Sequence, residues 1–239
     1  MLTTEGHLLD GRVRYAQPLD GYRTGIEPVL LAASVPARAG ERVLEAGTGA
    51  GAGLLCLAAR VPSVGGVGIE VDPAMAELAR RNVAANGYEG ICIVTGDVDG
   101  WPGGGFDHAF SNPPWHDAAD TLPSSARRRL ATHEGAVSLE RWIAGLRRVL
   151  RPGGSLTVLV PARQAARAMA TLQAQGVGRP TLFPLWPKPG RDAKLALIRG
   201  YAAQRGPGRI APGLVLHDAD GAFSAPARSL LRDGAALPI

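Results

Sequence analysis

The chain has little of what marks several large protein classes. Its 239 residues include two cysteines, Cys56 and Cys92. Both sit in apolar segments without metal-ligand spacing, so they read as reduced core residues rather than a disulfide framework or a zinc site. No apolar run approaches the roughly 20 residues of a membrane helix. The opening stretch MLTTEGHLLDGR lacks the charged-then-apolar pattern of an export signal, so a cytoplasmic location is expected. His7, His108, His116, His133 and His217 share no metal-binding spacing, and Ser111 and Ser124 lack a nucleophile's partner pattern. No metal is expected. Internal repeats and low-complexity tracts are missing too.

What is present fits one α/β domain with additions. The hydrophobic fraction is 46%, ordinary for a globular protein, and the length supports a sizeable core. Net charge is +5, and residues 186–239 carry eight basic and four acidic residues, +4 of the total. A basic end suggests an anionic partner such as RNA.

Residues 7–17, HLLDGRVRYAQ, read as a hairpin turning at Asp10–Gly11. EPVLLAASV is a short helix. Strands at 42–47, 66–71, 91–96 and 106–112 then alternate with helices at 51–60 and after Asp72, which caps a helix whose first residue is Pro73 and whose end precedes Gly87. A helix at 138–150, closed by RPGG, precedes the strand SLTVLVPA. A helix at 162–175 and strands at 180–186 and 194–201 complete the pattern. Alternation of this kind predicts a seven-stranded, mostly parallel sheet with helices on both faces. Residues 1–38 form an N-terminal hairpin and helix, 39–201 the ligand-binding domain, and 202–239 a Gly- and Pro-rich extension. That extension has a strand at GLVLH and a short helix near 224–232.

EAGTGAGAG, residues 45–53, links the first strand of the sheet to its helix. It satisfies the dinucleotide fingerprint Gly47-x-Gly49-x-x-Ala52, and Glu70 ends the next strand 23 residues after Gly47. A carboxylate there accepts hydrogen bonds from ribose hydroxyls, which suits NAD and S-adenosylmethionine equally. Glu45 favours the second. It lies two residues before Gly47, where it can face an ammonium or sulfonium, whereas a pyrophosphate would be repelled. Asp97, in TGDV after the third strand, is placed to accept from an adenine amino group. Taken singly, Glu45 also reads as a strand-end polar residue and Asp97 as a turn residue. Glu45, Gly47, Thr48, Gly49, Gly51, Glu70, Asp97, Val98 and Asn112 form the candidate cofactor site.

Asn112, Pro113, Pro114 and Trp115 end the fourth strand at the edge where such sheets bind ligands. The prolines cannot continue a strand. They fix an amide and a carbonyl that can accept both hydrogens of a planar nitrogen, while Trp115 can stack on the target plane. A rigid strand end is the plain alternative. Candidate RNA contacts are Arg127, Arg128 and Arg129, and Lys188, Arg191 and Lys194 near the last strands. The first three also read as a solvated helix face.

The order of these motifs resembles the class I, Rossmann-like methyltransferases, and NPPW resembles the signature of those that methylate planar nitrogen. From QPLDGYRTGIEPVLLAASVPARAGERVLEAGTGAG through SNPPW to GLVLHDADGAFSAPARSLLRDGAALPI, nearly the whole chain is similar to the bacterial tRNA adenine-N6 methyltransferases, which act beside the anticodon of a valine tRNA. The resemblance implies S-adenosylmethionine as methyl donor, S-adenosylhomocysteine as product and tRNA as partner. It also implies that Gly25 to Glu27 approach the methionine end of the cofactor. This chain has Glu at 45 and 27 where the family commonly has Asp, and Trp at 115 where it has Tyr or Phe. Longer acids keep the charge, and an indole keeps the stacking face. The competing readings are a protein glutamine-N5 methyltransferase, which shares an Asn-Pro-Pro-Tyr motif, and a non-catalytic RNA- or nucleotide-binding module.

Overall fold

A computed structural model of the chain describes residues 1–20, 23–113 and 138–239. An antiparallel hairpin comes first, β1 (Thr3–Leu8) and β2 (Val13–Pro18), in register from Thr3 opposite Pro18 to Leu8 opposite Val13. Its turn runs through Leu9, Asp10 and Gly11 at φ of 51°, 54° and 92°. Asp and Gly tolerate that geometry; Leu9 is held in it because its side chain is buried.

The remaining elements alternate as expected. In order they are α1 (Glu27–Ser34), β3 (Arg42–Ala46), α2 (Ala52–Arg60), β4 (Gly65–Glu70), α3 (Pro73–Ala85), β5 (Ile91–Thr95), a 3₁₀ turn at Val98–Gly100 and β6 (Phe106–Ser111). They continue with α4 (Leu139–Val149), β7 (Leu150–Pro161), α5 (Ala165–Ala174), β8 (Val177–Trp186), β9 (Leu195–Ala202), β10 (Arg209–Ile210), β11 (Leu214–Val215) and α6 (Ala225–Arg228). Asp72 caps α3 by accepting from the N–H groups of Ala74 and Met75, and Pro73 follows it.

The large sheet runs β10-β8-β9-β7-β6-β3-β4-β5, with β11 also on β8. Only β9 runs against its neighbours, β7 and β8. Seven strands match the expected sheet. Two more, each of two residues, come from the C-terminal extension and pair with β8. β11 is the strand expected at GLVLH; β10 has no apolar run to announce it. β7 starts at Leu150, earlier than the expected Ser155. RPGG is therefore an irregularity inside the strand, where the partners on β6 shift from Phe106–Leu150 to His108–Ser155. The helix expected at 162–175 begins with a 3₁₀ turn at Ala162–Gln164.

Two cores form, one on each face of the sheet. α1, α2, α3 and the hairpin cover one face around Leu30, Leu54, Leu55 and Leu78. α4 and α5 cover the other around Ile143, Leu146, Ala168 and Leu172. Cys56 is buried in α2, as expected, but Cys92 is exposed. The reason is the strand period of two: on β5, Ile91 and Ile93 point inward, so the residue between them faces out.

Asn82 fastens the hairpin to the domain. It is 3% exposed. Its Oδ1 accepts from Ala16 N (2.9 Å), and its Nδ2 donates to the carbonyls of Ala16 (2.8 Å) and Ala50 (2.9 Å). Asn82→Ala strands three buried backbone groups, so it should lower unfolding stability by about 3 kcal/mol. Amide exchange should accelerate in β1 and β2 before the central strands. Urea titration and hydrogen exchange check both outcomes.

Candidate functional site

The glycine loop lies at the carboxyl ends of β3 and β4. Gly47, Gly49 and Gly51 take φ of 69°, 56° and 91°, a region costly for side chains. The loop's N–H groups are drawn onto β4. Gly47 N and Thr48 N donate to the Ile69 carbonyl (2.8 and 3.1 Å), and Gly49 N donates to Glu70 Oε2 (2.8 Å). Glu70 Oε1 accepts from Asp72 N at 3.0 Å. Burial raises the Glu70 pKa, and these hydrogen bonds work against the rise.

Glu45 departs from the sequence reading. Its carboxyl was expected to face a cationic ligand group; it turns beneath the loop instead and is 4% exposed. Oε2 accepts from Thr48 Oγ1 (2.5 Å) and from Leu54 N (3.0 Å). The first turn of α2 explains the orientation. Gly51, its cap, has no side chain to satisfy the unpaired N–H groups there, so Glu45 reaches across from β3 to do so. A β-carbon on Gly53 would lie 2.1 Å from Glu45 Oε1, so only glycine leaves room for the carboxyl. Desolvation pushes the Glu45 pKa up to about 8, against the pull of the Thr48 and Leu54 bonds.

Glu27 is the acid with capacity to spare. It opens α1, whose preceding residue Ile26 offers no side-chain cap. Its Oε2 folds over Gly25, 2.2 Å from where a β-carbon would stand, and is buried without a hydrogen-bond partner among the described residues. A buried carboxylate oxygen in that state favours an incoming cationic donor. Asp97 is exposed, with Oδ1 accepting from Asp99 N (2.9 Å) as cap of the 3₁₀ turn. Val98 beside it is buried against Gly145 of α4.

β6 is the strand next to β3, with Ser111 opposite Ala46. That register sets Asn112, half-buried, beside Gly47. Ser111 is wholly buried. Its Oγ donates to the Ala46 carbonyl (2.8 Å) and accepts from Trp142 Nε1 (2.9 Å). The indole of Trp142 also stacks against the loop, with Cζ2 3.3 Å from where a Gly47 β-carbon would stand. Neither Trp142 nor the Ser111 bond was read from the sequence, where Trp142 shows only as an apolar residue on an amphipathic helix. Pro113 is buried. Pro114, Trp115, Arg127, Arg128 and Arg129 lie outside the described residues.

Lys188, Arg191 and Lys194 are exposed on the turn joining β8 to β9. β8 runs parallel to β7, so this turn shares the carboxyl edge with Asn112. Lys188 Nζ donates to the Ala219 carbonyl (3.3 Å), tying the turn to the C-terminal extension. Among the described residues no cluster of side chains could hold a metal ion. His108 bonds Ser155 Oγ and Glu41 Oε2 near the amino ends of β6 and β7, away from this edge.

A glycine cradle, an orphaned buried carboxylate oxygen at Glu27, and acids at Glu70 and Asp97 suit an adenosine-bearing cation. Together with the sheet order they define a class I, S-adenosylmethionine-dependent methyltransferase. A family model, the methyltransferase small domain, matches residues 26–175, and the chain belongs to that family. The tRNA1(Val) (adenine(37)-N6)-methyltransferase of Aeromonas salmonicida is 30% identical over 205 residues, covering 84% of this chain and 85% of that one. The protein of the same name from Porphyromonas gingivalis is 35% identical over 154 residues, 58% of each chain. Among solved structures, a predicted O-methyltransferase of Agrobacterium tumefaciens superposes with a TM-score of 0.74 at 24% identity, over 89% of this chain and 98% of that one. A methyltransferase from Pyrococcus furiosus gives 0.59 at 21%, over 80% and 90%. Identities this low speak to the fold alone.

Two outcomes follow from this geometry. Trp142→Phe loses one hydrogen bond and should cost about 1 kcal/mol. Trp142→Ala also empties the space against Gly47, and should cost about 3 kcal/mol and weaken binding of S-adenosylmethionine. Urea titration and calorimetry check both. Glu45 takes up a proton on folding, because burial raises its pKa from the ordinary 4.5 to about 8. The stability this contributes is full below pH 4.5 and is lost as pH rises through about 8. Glu45→Gln should flatten that decline in melts taken across the range.

Proposed function

We propose that this methyltransferase acts on the exocyclic N6 of an adenine in tRNA, beside the anticodon, in the cytoplasm. The observation that carries the reading is Asn112, held by the Ser111–Ala46 bond at the end of β6 and adjacent to the glycine loop. The names of the relatives support the substrate class. S-adenosylmethionine, when bound, supplies an electrophilic methyl group on a sulfonium. Gly47, Thr48, Gly49 and Gly51 would cradle it, Glu70 would take the ribose hydroxyls, Asp97 and Val98 would flank the adenine, and Gly25 and Glu27 would receive the ammonium. Glu45 supports the loop from beneath.

An adenine amine is a poor nucleophile because its lone pair is delocalised into the ring. Asn112 Oδ1 and the Pro113 carbonyl accept its two N–H groups and favour a pyramidal nitrogen with the lone pair aimed at the methyl carbon. The cofactor, when bound, would supply its methyl group to that nitrogen and leave as S-adenosylhomocysteine. The amine then sheds one proton to water, so no strong base and no metal is needed. Pro113 and Pro114 fix the acceptors in advance, which is where the rate is gained. The target base must leave its stack, at a few kcal/mol, and stacking on Trp115 returns about 1–3 kcal/mol. Arg127, Arg128, Lys188, Arg191 and Lys194 hold the RNA backbone.

Asn112→Ala should lower the rate about 10²–10³-fold while calorimetry shows S-adenosylmethionine binding little changed. Trp115→Ala should be severely impaired, and Trp115→Phe should keep most activity. The assay sets bulk tRNA against a release-factor peptide. Label on glutamine of the peptide and none on tRNA would move the function to protein methylation.

A further inference from the structure

Asp97 and the 3₁₀ turn after it, Val98–Gly100, form the proposed adenine end of the cofactor site. The turn has little to hold it by itself. It is closed by Gly100 N donating to the Asp97 carbonyl (3.2 Å) and Trp101 N donating to the Val98 carbonyl (3.3 Å). One face of α4 grips it. Arg141, Gly145 and Arg148 recur at the i, i+4, i+7 spacing of a helix face. Arg141 Nη2 donates to Asp99 Oδ2 at 2.5 Å. Arg148 Nη2 donates to Asp99 Oδ1 at 3.0 Å and also to the Asp99 main-chain carbonyl. Between the two arginines, Gly145 lets the helix close on the turn. A β-carbon there would lie 3.2 Å from Val98 Cγ1 and 3.4 Å from the Val98 carbonyl.

Asp99 passes this grip on to Asp97. Its N–H donates to Asp97 Oδ1 at 2.9 Å, which orients that carboxylate and leaves Oδ2 without a hydrogen bond among the described residues. Asp97 is exposed, so Oδ2 is open to a ligand. The side chains of Arg141 and Arg148 are 66% and 51% exposed, that of Asp99 only 26%. Ion pairs this open to solvent add little to stability. They do fix a position, because Asp99 is held at its carboxylate, its carbonyl and its N–H at once. The bonds from Arg141 and then Arg148 hold the Asp99 carboxyl below the usual carboxylate range, so the clasp stays charged at neutral pH.

We propose that Asp99, clasped by Arg141 and Arg148, is a positioning residue that makes the cofactor site selective for adenine. The inference rests on the placement of the adenine beside Asp97 in the reading above. Adenine presents an exocyclic amine with two N–H donors, and hypoxanthine presents a carbonyl oxygen at the same place. A carboxylate accepts from the first and repels the second. Selectivity needs that carboxylate fixed, since a side chain free to rotate turns away from an unwelcome oxygen, whereas one held in place is left unpaired against it. The same helix also holds the reacting end, because Trp142, next to Arg141, bonds Ser111 and packs on Gly47. α4 therefore fixes the adenine end and the reacting end against each other.

The test is calorimetry on the full chain with two ligands, S-adenosylhomocysteine and S-inosylhomocysteine, in which a carbonyl oxygen replaces the adenine amine. Wild-type protein should bind the first at least about tenfold more tightly. In R141Q/R148Q that ratio should fall to about threefold or less, through weaker binding of S-adenosylhomocysteine and unchanged binding of the inosine analogue. Asp99→Ala should behave alike, and R141K/R148K should regain most of the ratio. The melting temperature should barely move in any of them. A ratio unchanged in R141Q/R148Q overturns the proposal. So does equal weakening of both ligands, which would mark the arginines as general support for the fold. Asp97→Ala separates the clasp from the placement it rests on. If that variant loses the ratio and R141Q/R148Q keeps it, the adenine stays beside Asp97 and the clasp falls. Equal binding of both ligands by wild-type protein, or a ratio that survives Asp97→Ala, moves the adenine away from Asp97 and takes the proposal with it. No RNA enters the measurement, so the tRNA assignment stands or falls separately.

Discussion

The pairing of Ala46 with Ser111 across β3 and β6 is the contact on which the site depends. It joins two strand ends that are 65 residues apart in sequence, with the Ser111 hydroxyl bonded to the Ala46 carbonyl at 2.8 Å. One strand delivers the glycine loop and the other delivers Asn112. Because parallel strands are rigid and evenly spaced, the cofactor cradle and the proposed amine acceptor sit at a separation that loop motion does not set. Trp142 reinforces the joint from α4, bonding Ser111 and packing on Gly47 together.

The acids around this joint divide their work. Glu45 and Glu70 spend oxygens on the loop itself, satisfying N–H groups that a helix start and a tight turn would otherwise strand. Glu27 keeps a buried oxygen in reserve. Glu45 therefore contributes shape rather than an exposed charge, and with its pKa pushed up to about 8 it is mostly neutral at physiological pH. In the proposed cofactor site, attraction for a cation would then fall to Glu27, Glu70 and Asp97.

Exposed cations also flank β8: Lys188, Arg191 and Lys194 on the turn that follows it, Arg179 within it, and Arg205 and Arg209 on the adjoining segment. A polyanion following that edge would meet cations near both ends of the strand. Long-range steering of this kind favours approach of the polyanion in one orientation.

Local signals carried much of the fold. Alternating strand and helix patterns, the Asp72–Pro73 helix start, the Asp10–Gly11 turn and the glycine run are each set within a few residues, by capping, by allowed φ and by periodicity, so they were legible in the sequence. So were the candidate site residues Gly47, Glu70 and Asn112, because strand ends at the carboxyl edge are fixed by element order. Other features depended on partners far along the chain. Cys92 turned outward because its neighbours Ile91 and Ile93 won the core. Glu45 turned inward because a helix start with no capping side chain lay nine residues ahead. Trp142 found Gly47 only once α4 had packed on the ends of β3 and β6. The sequence by itself determined the elements and the chemistry at their ends; tertiary packing decided which way each side chain faces, since burial and hydrogen-bond satisfaction are settled between segments and not within them.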